Sequence, residues 1–154
     1  MTRFERWSVW SSAIATGLTG LGFFWAKYLV ESSEPWAVVN HPLEPWFLKI
    51  HIVVAPMFIF AVGLITTRHI LIHIRARIRN GRSSGLAMVW LMVPMVGSGY
   101  LIQVVSAEVW VTGLAIVHIV TGTVFLLAIA AHRVRISSRQ SRVAEAARTP
   151  ILKS

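Results

Sequence analysis

The chain has 154 residues, 55% of them hydrophobic and 14% charged, with mean hydropathy +0.64 and a formal net charge of +9. A soluble domain carries about 25% charged residues, so an ordinary water-soluble fold is excluded; the arginines gather just outside the apolar runs, which fits membrane topology and anionic headgroups and argues against a nucleic-acid surface. The absence of cysteine excludes disulfides, Cys-ligated iron–sulfur clusters and c-type haem attachment, so any haem must be non-covalent and held by histidine or methionine.

Four apolar runs approach the roughly 20 residues that cross a bilayer. They predict an all-α protein, an integral membrane four-helix bundle, in a single membrane domain over residues 1–154. The first helix spans about 8–30. Trp7 and Trp10 at one end, with Trp25 and Tyr28 at the other, suit the two aromatic belts. Arg3 and Arg6 precede this run and no small-residue cleavage site follows a short apolar core, so it reads as an uncleaved helix. Gly17, Gly20 and Gly22 make a smooth patch that serves helix–helix packing or the close approach of a flat ligand. The helix has no histidine.

Residues 31–45, ESSEPWAVVNHPLEP, carry three prolines and three glutamates and no Lys or Arg, the pattern of a loop on the non-cytoplasmic side. His41, beside a proline in this loop, reads as a surface or capping residue; the alternative places it at the mouth of a quinone or partner site. The second helix spans about 46–73 and carries His51, His69 and His73. His51 and His69 are eighteen residues apart, five full turns, so they share one face about 27 Å apart. Pro56 between them predicts a kink, and Gly63 leaves room for either a porphyrin edge or a packing neighbour.

The basic turn IRARIRNGRSSG, residues 74–85, is assigned to the cytoplasm by its arginines. The third helix spans about 86–105, with Pro94, Gly97 and Gly99 interrupting it and Tyr100 and Gln103 towards its far end. A tight turn at 106–109 holds Glu108 and no basic residue. The fourth helix, about 110–132, contains no charged residue and carries His118 and His132. Fourteen residues separate them, about 21 Å along the axis and within roughly 40° of one face. A basic cytoplasmic tail, 133–154, follows. Both termini and the middle loop are arginine-rich while the other two connections are acidic, so both termini are expected in the cytoplasm.

The histidine depths nearly match, the outer pair being offset by a few Å that tilt or a kink at Pro56 would absorb. From Trp46, His51 lies about 8 Å in, and from Trp110, His118 lies about 12 Å in. His69 and His132 are 23 and 22 residues from the same tryptophans. The expected pairs are therefore His51 with His118 and His69 with His132, with His73 as the alternative to His69. Neutral imidazoles bind haem iron, and ligation at both faces leaves no site for oxygen, as electron transfer requires. A polar side chain in mid-membrane is costly, which makes His118 a functional candidate. Arg68, Arg75 or Arg133 would pair with propionates of an inner haem; equally, they anchor helix ends. His69, His73 and His132 lie near the interface, where a histidine can also live without any metal. The His69/His73 pair has the spacing of a zinc or copper site but lacks an acidic third ligand nearby.

With HPLEPW ahead of His51, and His118 and His132 fourteen residues apart, the chain resembles the small bacterial four-helix di-haem cytochrome b-like membrane proteins. It is more loosely similar to the cytochrome b subunits of formate dehydrogenases and nickel–iron hydrogenases. The resemblance covers roughly residues 8–135. It implies two non-covalent haem b groups with bis-histidine ligation, and electron exchange with the quinone pool or a redox partner protein. The dehydrogenase-type subunits also draw a ligand from their first helix, which has no histidine here. The expected protein is a multi-pass cytochrome of the bacterial inner membrane, an electron-transfer subunit of an oxidoreductase complex in contact with membrane lipid. The alternatives are a non-redox anchor or scaffold subunit and a metal or proton transport component using the same histidines.

Overall fold

The computed structural model describes residues 2–32, 34, 36–66 and 82–148. Among them the chain is entirely helical: α1 is Arg3–Phe24, continued by a π-helical turn Trp25–Leu29; α2 is Glu44–Ile65, α3 is Arg82–Val104 and α4 is Glu108–Arg148. The contacts divide into two compact units, Met1–Ala76 and Arg77–Ser154, and each is a helical hairpin.

In the first hairpin, α1 starts at a capping box. The Thr2 hydroxyl accepts the Glu5 N–H at 3.1 Å, and the Glu5 carboxylate accepts the Thr2 N–H at 2.8 Å, which satisfies two of the donors that a helix start leaves bare. Two hydroxyls inside α1 bond within the helix: Ser11 donates to the Trp7 carbonyl at 2.8 Å and Thr19 to that of Ala15 at 2.7 Å. After the π-helical turn, the Asn40 side-chain amide donates to the Lys27 carbonyl at 2.7 Å, tying the connection to the end of the first helix. Pro45 lies in the first turn of α2, where a missing N–H is harmless. α2 runs through Pro56 without interruption to Ile65, as a proline that bends a helix without ending it allows.

The two helices run antiparallel. Gly22 meets Phe47 and Gly20 meets His51 near one end, while Val9 joins Ala61 and Ile65 in a small core at the other. A Cβ built on Gly22 would lie 2.7 Å from Phe47 Cε1, whereas one on Gly63 meets nothing within 4 Å. Gly22→Ala is therefore expected to lower the unfolding free energy of the full chain in detergent by about 1–3 kcal/mol, the usual cost of overpacking. Gly63→Ala is expected to stay within about 0.5 kcal/mol of the parent, as open surface sites do. Equal losses for the two would show that Phe47 does not seat on Gly22.

In the second hairpin, α3 and α4 pack antiparallel through Gly99 on His118 and Met95 near Gly122. Phe125 and the polar Ser98 are its buried residues among those described. The sequence places the end of the fourth helix near residue 132, but α4 continues unbroken to Arg148. Ala144, Ala146 and Ala147 with interspersed Arg and Glu favour helix intrinsically, so the basic segment extends the rod instead of trailing from it.

Few apolar side chains are buried. Phe60 in α2, Val93 in α3 and Leu127 in α4 are 68%, 64% and 66% exposed. Among the described residues, three helices are long and apolar enough to cross a membrane: Glu44–Ile65, Gly85–Val104 and the Glu108–Arg135 part of α4. α1 is not among them, because Ser, Thr and Gly dilute its apolar content. Apolar surface on this scale is far more than a water-soluble monomer shows and marks contact with lipid or protein.

Candidate functional site

His51 and His118 each occupy a built seat on the neighbouring helix of their own hairpin. The His51 ring is half-buried, and its Nδ1 lies 3.0 Å from the Thr16 carbonyl and 3.2 Å from the Thr19 hydroxyl oxygen. A Cβ on Gly20 would stand 3.0 Å from His51 Cε1. Glycine at that step lets the ring rest on α1 at this distance; a methyl there would push it out by a few tenths of an ångström. The His118 ring is also half-buried, and its Nδ1 lies 2.8 Å from the Met95 carbonyl and 3.5 Å from the Ser98 hydroxyl oxygen. A Cβ on Gly99 would stand 2.9 Å from His118 Cε1.

The chemistry of these contacts fixes a proton. A carbonyl oxygen only accepts, so Nδ1 of each ring must carry the hydrogen and donate it. In the neutral imidazole the lone pair then lies on Nε2. That is the arrangement in which histidines bind metals, with one ring nitrogen donating to a carbonyl or carboxylate and the other carrying the lone pair for the metal. The donor set therefore fits ligation of haem iron, and the glycine under each ring supplies the close approach. Among the described residues, no group of three or more His, Asp or Glu gathers as a zinc-type site.

The remaining candidates fall as follows. His132 lies in α4, half-buried, fourteen residues after His118. His69 and His73 lie outside the described residues, as do Arg68 and Arg75. His41 is a local cap: its Nδ1 accepts the Leu43 N–H at 3.1 Å, its carbonyl accepts the Glu44 N–H at 2.9 Å, and its ring leans on Trp25 with centroids 4.9 Å apart. That is the structural role expected for it. Of the α1 glycines, Gly20 and Gly22 carry the rings of His51 and Phe47, so this part of the patch receives single aromatic rings from α2.

The hydroxyl–glycine pairs Thr19-Gly20 and Ser98-Gly99 were not legible as partners of a histidine. A signal was nevertheless present. His51-Ile52-Val53 is followed by Ala55 and Phe58, and His118-Ile119-Val120 by Gly122 and Phe125, at the same offsets. Phe58 and Phe125 are both buried, at 4% and 6% exposure.

Compared with known protein families, with curated proteins and with solved structures, the chain finds no match in any of the three. The resemblance to membrane cytochromes accordingly rests on this chain's own residues.

Proposed function

We propose that this protein is a membrane-embedded b-type cytochrome that carries electrons between the quinone pool and a redox partner protein across the bacterial inner membrane. The observation that carries the reading is the pair of imidazoles, one in each hairpin, held as Nδ1–H tautomers on seats of the same construction. His51 and His118 would each offer Nε2 to haem b iron. His132 and His69, with His73 as the alternative to His69, would serve a second haem b. Haem ligated by two imidazoles supplies one-electron transfer and offers no open position to oxygen.

The chain's own part is to hold the rings, fix which ring nitrogen donates and exclude water with apolar helices. On the positive-inside rule, both termini and the arginine-rich residues 74–85 would lie on the cytoplasmic side of a four-helix bundle, opposite Glu31, Glu34, Glu44 and Glu108. In this bundle α1 would be the most polar span, and its Ser11 and Thr19 hydroxyls donate to its own carbonyls.

The test is the visible spectrum of the purified chain, oxidised and then reduced with dithionite, with haem quantified as its pyridine complex. Sharp b-type bands and two haems per chain are expected. A preparation that stays colourless after expression with ample haem would defeat the cytochrome reading and favour the anchor or scaffold subunit.

A further inference from the structure

We infer that the chain is a tandem repeat of one helical hairpin, and that Thr19 and Ser98 are its equivalent positioning residues. With Gly20 and Gly99 clearing space, they lock His51 and His118 as Nδ1–H tautomers, which leaves the Nε2 of each ring as the metal donor. The tautomer stands by itself; the metal rests on the haem reading given under Proposed function.

Each seat has three parts at the same helical steps. The carbonyl comes from Thr16 or Met95, the hydroxyl from the residue three further on, Thr19 or Ser98, and the bare Cα from the residue four further on, Gly20 or Gly99. On the opposite helix, the histidine precedes a buried phenylalanine by seven residues in both hairpins. Seven residues are about two turns, so histidine and phenylalanine share one face.

The hydroxyls also share one bonding pattern. Thr19 donates to the Ala15 carbonyl at 2.7 Å, and Ser98 to the Pro94 carbonyl at 2.6 Å. With its hydrogen spent there, each oxygen can only accept from the ring. Two acceptors therefore face each Nδ1, and neither can donate to it. An Nε2–H ring would set its Nδ1 lone pair against both oxygens.

The ordinary alternative is that a histidine in an apolar helix takes whatever polar partner is near. That account does not explain why a carbonyl and a hydroxyl three residues apart both face the ring nitrogen in each hairpin. Nor does it explain why glycine stands at the same step twice. Hydrogen bonding at Nδ1–H raises ring basicity and strengthens donation from Nε2, so weakening it should make a ligated iron easier to reduce.

The experiment uses the full chain in lipid nanodiscs, with histidine rings labelled with nitrogen-15. Nitrogen shifts distinguish the two tautomers, and His51→Asn and His118→Asn assign the signals. Without haem, both rings are expected as Nδ1–H. With haem bound, Thr19→Val and Ser98→Ala are each expected to raise the midpoint potential at unchanged haem content. Thr19→Ser and Ser98→Thr, which give each hairpin the other's residue, are expected to keep the parent potential. An Nε2–H ring at either position, or a potential that responds to only one of the two hydroxyl deletions or to neither, overturns the proposal. A chain that stays colourless while both rings are Nδ1–H supports the seats and defeats the haem assignment alone.

Discussion

His118→Ala is expected to lower the haem content of the purified chain from two to one, and His51→Ala to do the same. The informative variant is the double. If the two imidazoles serve one iron, His51→Ala with His118→Ala loses no more haem than either single change, since both remove the same centre. If they serve different irons, the double loses both haems. Residues acting on one shared partner are strongly non-additive in this way, and independent sites add. Truncation should leave the hairpins folded. The Met95 carbonyl also belongs to the α3 hydrogen-bond ladder and so is not orphaned when the His118 ring is removed. Haem quantified as its pyridine complex, beside far-ultraviolet circular dichroism for helix content, reads both effects. Additive loss in the double would break the expected pairing of His51 with His118.

Val93→Arg is expected to block stable membrane insertion of α3. Val93 sits near the middle of the Gly85–Val104 span and is 64% exposed. Arginine at the centre of a membrane helix costs about 2.5–3.5 kcal/mol on insertion scales, enough to move an insertion equilibrium roughly a hundredfold. The same change on a helix facing water would stay within about 0.5 kcal/mol, so the size of the effect decides between the two environments. Val104→Arg is the control. It stands at the helix end and is 81% exposed, where a long side chain reaches the interface at little cost. Inserted fractions can be read by attaching glycosylation acceptor sites to the flanks of the span. Equal insertion of the two variants would remove α3 from the membrane.

What could be read in advance divides along a physical line. Helices and their apolar character were legible because periodicity and length are local properties of a chain. His51 and His118 were legible as candidates because an imidazole in an apolar run is costly and needs a reason. Their seats were not, because the ring of one helix lands on a position of another, and spacing along Thr16, Thr19 and Gly20 says nothing about what arrives there. Gly99 was read as an interruption of its helix, yet it is the surface on which His118 rests. Counted from Trp46 and Trp110, the two histidines differ in depth by a few ångströms; the repeated seats give them equivalent places within their own hairpins. The charge of residues 133–148 marks them as a tail, but their alanines favour helix and that propensity prevails.

That last helix has a mechanical consequence. Forty-one residues without a break make a shaft of about 60 Å, against a hydrocarbon layer of about 30 Å. The apolar and basic halves cannot swivel independently, so any change in the inclination of one is transmitted to the other. The stretch past Arg135 is about 20 Å long, and a tilt of about 20°, ordinary for such spans, sweeps its tip sideways by about 7 Å. The arginines at its far end therefore report, as the hand of a dial does, on the attitude of the segment that holds His118.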